Sequence, residues 1–108
     1  MSYNVYLSPS CKKQVKKLAK KFRSLSEDLE VLSTSLKSNP SQGTALGNDT
    51  YKIRLAVKSK GKGKRGGMRV ITYVKIVQRS VYLIAIYDKS EKGNITDFEI
   101  RNSLNEVG

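Results

Sequence analysis

The chain has no histidine and no tryptophan, a single cysteine, two prolines, and nine acidic residues against 21 basic ones. Each shortage removes a class of function. Without histidine, the usual neutral-pH proton shuttle and the commonest metal ligand are missing, and nucleophilic triads lose their base. Cys11 alone builds neither a disulfide framework nor a cysteine-based zinc site. No apolar run is long enough for a membrane span or a signal peptide, so the expected setting is cytoplasmic, with no membrane partner. The carboxylates Asp88, Glu91, Asp97 and Glu99 are too scattered for metal-assisted hydrolysis, and neither a metal nor a cofactor is expected.

What the chain has in excess is positive charge. A formal +12 on 108 residues repels itself and attracts a polyanion, nucleic acid first. The hydrophobic fraction of 38% and six tyrosines suffice for one small folded domain over residues 1–108.

The hydrophobic pattern predicts a strand at Tyr3–Leu7, then a helix starting at the Ser8-Pro9 cap signal. Apolar residues at Cys11, Val15, Leu18, Phe22, Leu25, Leu29, Leu32 and Leu36 alternate spacings of four and three, one stripe along a helix. Ser24 and Glu27 match a capping box and predict a break near Arg23-Ser24, giving a helical hairpin that ends by "SNPSQG". Downstream the period becomes two. "YKIRLAV", "MRVITYVKIV" (Met68–Val77) and "VYLIAIYD" (Val81–Asp88) read as three strands, the last two joined by "QRS". Thr96–Val107 reads as a C-terminal helix turning Phe98, Ile100 or Arg101, and Leu104 inward. The fold class predicted is α+β: a mainly antiparallel sheet with the helical hairpin packed on one face and a short C-terminal helix.

Three basic groups stand out. "KSKGKGKRGGMR" holds Lys58, Lys60, Lys62, Lys64, Arg65 and Arg69 with four glycines and no acid; it suits either a solvated loop or a phosphate grip. "KKQVKKLAKKFR" carries seven cations opposite the apolar stripe, a solvated helix face or a surface for backbone phosphates. Strand parity puts Lys52, Arg54, Arg69, Tyr73 and Lys75 on the sheet face turned away from the helices, with Tyr87 ending the next strand. Clustered cations and tyrosines suit RNA cleavage by the substrate's own 2′-hydroxyl. That chemistry needs a base, charge to stabilise a phosphorane and an acid for the leaving oxygen. Lysines amid other cations can exchange protons, and arginine supplies the charge.

The segments "KRGGMRVIT" and "IYDKSEKGNIT" resemble RelE/HigB-type toxins of bacterial type II toxin–antitoxin modules. The resemblance implies a RelE-like, microbial-RNase-like fold and a ribosome-dependent endoribonuclease that cuts mRNA in the A site. It also implies a cognate antitoxin as partner, the ribosome and mRNA as targets, and operator DNA reached only through the antitoxin. Carried over by position, Arg69 stabilises the cleaved phosphate, Arg65 precedes the paired glycines, and Lys89 and Tyr87 complete the catalytic set. Arg54, Lys58, Lys60, Lys62, Lys64 and Lys92 would contact RNA or the ribosome. The residues by themselves also suit a non-catalytic basic RNA- or ribosome-binding module, and the related ParE branch is linked to gyrase.

Overall fold

In the computed structural model, residues 2–61, 63 and 66–107 are described. Strand β1 (Asn4–Leu7) leads into helices α1 (Pro9–Lys21) and α2 (Leu25–Ser38). Strands β2 (Thr44–Gly47) and β3 (Thr50–Leu55) follow, then a 3₁₀ turn at Lys58–Lys60, β4 (Met68–Lys75), β5 (Ser80–Asp88) and helix α3 (Asp97–Leu104). The strands form one sheet in the order β1-β5-β4-β3-β2. The helical hairpin carries the chain from β1 at one edge to β2 at the other; among the described strands the β1–β5 pairing is parallel and the rest are antiparallel.

Local chemistry sets the helix ends. The Ser8 hydroxyl accepts from the Cys11 amide at 3.2 Å, and Pro9 occupies the first turn. Helix α1 has no acid of its own in that turn, where the macrodipole favours negative charge. Glu106, just past α3, supplies it: its carboxylate accepts from the Ser10 amide at 2.9 Å and from the Ser10 hydroxyl. These bonds hold the Glu106 carboxyl below its ordinary range. The break between α1 and α2 falls at residues 22–24, as the sequence predicts, but the expected Ser24/Glu27 capping box does not form. The Ser24 hydroxyl is taken instead, donating to Asp28 at 2.7 Å and accepting from the Ser59 amide at 2.8 Å.

The alternating stripe lines the hairpin's inner surface. Cys11, Leu25, Leu29, Leu32 and Leu36 are buried with Ile53, Leu55, Val57, Met68, Val70, Val74, Val81, Leu83 and Ile86, and Val15, Leu18 and Phe22 pack against them. On the other face α3 covers a smaller cluster of Ile71, Ile84, Ala85, Tyr87 and Ile100. Helices therefore lie on both sides of β5. That strand reads as an apolar run because both of its faces are buried. A bulge serves this: Ile71 pairs with Ala85 and Thr72 with Leu83, leaving Ile84 as the extra residue.

The structure corrects several boundaries. Strand β2 had no sequence expectation, since all four of its residues are exposed and carry no alternation. Its turn uses Asn48 and Asp49, both at positive φ (53° and 60°), a two-residue hairpin connection. Strand β4 stops at Lys75, not Val77; Ile76 and Val77 are exposed in the turn before β5. β-propensity describes a fit to a half-buried pleat, and nothing covers those two side chains. In α3, Ile100 and Leu104 turn inward while Phe98 is 65% exposed and Arg101 is exposed. A complete Thr96/Glu99 capping box starts that helix, a signal present in the sequence as T-x-x-E. No helix among the described residues is long and apolar enough to cross a membrane.

Burial, with the nearby Glu106 carboxylate adding to it, pushes the Cys11 thiol up to about 12. The native protein at pH 8 is expected to resist a disulfide reagent such as DTNB and to react fully once unfolded in denaturant. Rapid labelling of the folded protein would contradict this placement.

Candidate functional site

Register across three strands builds the site. Arg54 pairs with Arg69, and Arg69 with Tyr87, so one row crosses β3, β4 and β5 on the face away from the helical hairpin. Directly paired Cα atoms lie about 4.5–5.5 Å apart, which brings two guanidinium stems and a phenol side by side. Lys52 lies two residues along β3 from Arg54, on the same face. Thr44, Lys52, Arg54, Gly66, Arg69 and Lys89 line an open cleft of about 770 Å³. Four of these six residues are cations and none is a carboxylate. Such a group gathers where an anion is to be held, since adjacent cations otherwise raise each other's energy.

The sequence-predicted residues separate into groups. Arg54, Arg69 and Lys89 come together in the cleft, with Tyr87 beside Arg69 in the register row. Arg69 is only 6% exposed, and its guanidinium donates to the Met68 carbonyl at 3.2 Å; its stem is thus fixed by the sheet. Tyr87 is 8% exposed and packed in the α3-side cluster, so its ring is not laid open for a base to stack on. Its hydroxyl has no hydrogen-bond partner among the described residues, at a typical cost of about 1–3 kcal/mol. Burial raises its pKa, against the opposing pull of Arg69 and Lys92, so the phenol stays protonated and able to donate.

Lys89 extends over the loop after β5, where its ammonium donates to the Gly93 carbonyl at 2.5 Å. Lys92 is engaged with Glu99 at 2.5 Å and is not among the residues lining the cleft. Lys58 is exposed but borders a groove between α2 and β3, with its backbone amide bonded to Asp28 at 3.2 Å. Lys62, Lys64 and Arg65 lie outside the described residues.

Lys60 departs furthest from the expectation of a phosphate-gripping loop. Its ammonium forms an ion pair with Asp88, their side chains only 6% and 2% exposed, and lies 5.3 Å from the Phe22 ring centroid. It faces the helical-hairpin side of the sheet, not the cleft. The 3₁₀ turn folds the chain back against α2 through Ser24 and Ser59, which is how a residue of a basic loop becomes internal. Burial opposes ionisation of Asp88, but bonds from Lys60 and Ser90 outweigh it and hold its carboxyl below the ordinary range. Asp88 also closes the turn after β5, accepting at its side chain from the Ser90 amide (3.0 Å) and at its carbonyl from the Lys92 amide (2.9 Å).

Lys52 is the cleft residue that the resemblance did not assign. Its parity with Arg54 was the available signal. Its ammonium donates to Asn94 at 3.3 Å, tying the cleft wall to the loop before α3. Gly67 brings β4 into place: a Cβ there would sit 2.1 Å from the Leu55 carbonyl oxygen, so only glycine lets the chain enter β4 two residues before Arg69.

Comparison with known proteins places these features in context. The family model described as "RelE toxin of RelE / RelB toxin-antitoxin system" matches residues 11–106. A solved structure of the Escherichia coli toxin RelE, a mutant in the free state, aligns over 100% of both chains with a TM-score of 0.66 and 18% identity. At that identity the likeness is one of fold.

Three variants test this arrangement. Asp88→Asn leaves a buried ammonium without its counter-charge and is expected to cost about 3 kcal/mol in urea unfolding. Combining Lys60→Met with Asp88→Leu should recover most of that loss. The folded-state pKa of Asp88 is depressed, so the stabilisation is present above its unfolded value of about 3.9 and is lost as pH falls through the lower, folded value. Unfolding midpoints of the unaltered protein should therefore drop more steeply below about pH 4 than those of the double variant. Gly67→Ala is expected to lower the melting temperature by more than about 4 °C, on the order of 1 kcal/mol for a domain of this size.

Proposed function

The chain belongs to the RelE toxin family and is a toxin of a toxin–antitoxin system; from that premise we propose that it is a metal-independent endoribonuclease that cuts mRNA in the ribosomal A site. The observation that carries this reading is the acid-free cleft of Lys52, Arg54, Arg69 and Lys89, with Tyr87 alongside Arg69. A messenger phosphate enters the cleft beside Arg69 and Arg54. The 2′-oxygen attacks the neighbouring phosphorus, its proton passing to the Lys89 side chain acting as a neutral amine, the base that the family resemblance points to. A bond forms from the 2′-oxygen to phosphorus and the bond to the 5′-oxygen breaks as the Lys52 ammonium in the cleft lining gives that oxygen a proton, leaving a 2′,3′-cyclic phosphate and a 5′-hydroxyl. Arg69, pre-oriented by its strand and largely shielded from water, stabilises the extra negative charge of the phosphorane. Tyr87, protonated and buried on the α3 side, is proposed to act by packing beside Arg69 in the strand row and holding it in place, not by touching the phosphate. Arg65 is proposed to join the site from the residue before the paired glycines. Lys58, Lys62, Lys64 and Lys92 are proposed as contacts to RNA, whereas Lys60 serves the fold.

The ribosome supplies what the cleft lacks. The lining offers cations but few apolar surfaces on which to order a nucleotide, so placement of the messenger falls to the decoding site. The antitoxin is the partner that holds the activity in check.

Purified protein added to ribosomes translating a defined messenger should produce discrete cuts, mapped by primer extension. Arg69→Ala should reduce the cleavage rate by about 100-fold or more, and Arg69→Lys should recover part of it. Intact messenger on ribosomes that hold the protein tightly would favour a non-catalytic binding module instead. Undiminished cleavage by Arg69→Ala would refute the site assignment.

A further inference from the structure

The sheet face that holds the cleft continues past α3 to a second end, where tyrosines take the place of arginines. Register aligns Tyr6 of β1 with Tyr82 of β5, and Tyr82 with Tyr73 of β4, in one row across three strands. The Tyr6 and Tyr82 rings stack with centroids 5.4 Å apart and planes 30° from parallel, the spacing of an offset aromatic pair. The Lys75 ammonium lies over the Tyr82 ring, 5.2 Å from its centroid, a cation–π contact. Strand order places Lys75 and Tyr6 on opposite flanks of Tyr82, so the column reads cation, ring, ring. Its last member, Tyr6, stands on the edge strand and is 46% exposed. Asn4, also exposed, shares that face two residues back along β1.

We propose that the outer face of Tyr6 stacks an unpaired base of ribosomal RNA, with the Asn4 amide alongside to hydrogen-bond the edge of that base; the proposal rests on the ribosome-directed reading above. Tyr82 is enclosed on both flanks, whereas the next position of the stack, beyond Tyr6, is open at the sheet edge. Every base has a π-face that can continue such a stack. Charge favours nucleic acid over an aromatic side chain of a protein. The segments that carry the column, residues 2–8 and 73–82, hold two cations, Lys75 and Arg79, and no acid. Asp49 shares a hollow with Tyr73 and Lys75 at the β4 end of the row, and two strand spacings, about 10 Å, separate β4 from β1. Glu106 is bonded to Ser10. Topology decides which RNA strand is met. Helix α3 sets Ile100 against Ile71, Ile84 and Ala85, the residues between this row and the Arg54–Arg69–Tyr87 row. Along β4 the two rows are four residues apart, about 13 Å. A messenger strand seated in the cleft would have to climb over α3 to reach Tyr6. The base therefore belongs to a second strand, and on a ribosome that strand is ribosomal RNA.

The test titrates messenger-free bacterial ribosomes with the unaltered toxin, Tyr6→Leu and Tyr6→Phe. A short 2′-O-methyl RNA, which cannot be cut, stands in for the messenger in a parallel titration. Thermal melting of each variant reports its fold; leucine keeps apolar cover over Tyr82 while removing the ring. Tyr6→Leu should lose ribosome affinity by about tenfold, the size of one base–aromatic stack. The salt dependence of binding should stay unchanged, because no phosphate contact is removed. Tyr6→Phe should keep the affinity of the unaltered protein, and the 2′-O-methyl RNA should bind all three alike. Chemical probing should show an unpaired ribosomal base protected by the unaltered toxin and by Tyr6→Phe, and exposed again with Tyr6→Leu. Ribosome affinity of Tyr6→Leu within about twofold of the unaltered protein overturns the proposal, as does a Tyr6→Phe loss equal to that of Tyr6→Leu. Equal weakening toward the 2′-O-methyl RNA would assign the column to messenger and overturn the ribosomal source. An unaltered toxin that does not bind ribosomes refutes the ribosome-directed reading itself, whereas intact binding by Tyr6→Leu refutes the stack alone.

Discussion

The buried ion pair between Lys60 and Asp88 is the joint on which the functional half of this protein depends. It fastens the end of β5 to the 3₁₀ turn that follows β3, beneath the Phe22 ring. The β5 side of the cleft is attached to this joint. Lys89 follows Asp88 directly, its amide bonded to the Gly67 carbonyl at 3.2 Å, and Tyr87 precedes it. A buried pair of this kind is a poor source of net stability, because desolvation offsets most of the attraction. Its value lies in geometry: an ammonium and a carboxylate that cannot stay in the interior alone permit only one arrangement of the two segments.

The scarcity of acid takes on meaning in this light. Five of the nine carboxylates are engaged at structural joints: Asp28 and Asp88 at the 3₁₀ turn, Glu91 with Lys21, Glu99 at the α3 cap, and Glu106 at the start of α1. Each neutralises a local charge or caps a helix, and none borders the cleft. Among the described residues, positive charge is thereby concentrated in the cleft and on the outer side of α1. Self-repulsion among 21 basic residues is relieved when an anionic partner meets them. The family's antitoxin partner is the natural relief for it.

Much of the architecture was legible because hydrophobic periodicity is a local code. The four-and-three stripe from Cys11 to Leu36 specified an inward helix face, and the Ser8-Pro9 start is observed as written. The parity that put Arg54 and Arg69 on one face holds through the strand register. Failures occurred where the deciding partner is distant in sequence. Ser24 does not form its box with Glu27 because Ser59, 35 residues away, engages its hydroxyl. Strand β2 has no pattern because it buries nothing.

By itself, then, the sequence determined the sheet-and-hairpin fold, the family, and the identity of the strand residues that meet in the cleft, since period and parity follow from backbone geometry. Tertiary structure alone decided the duties of individual cations. Lys60 and Lys58 stand two residues apart in the same glycine-rich basic stretch, yet one is sealed against Asp88 and the other stays at the surface. A lysine's role depends on which carboxylate or water reaches its ammonium, and that is settled only when remote segments pack together.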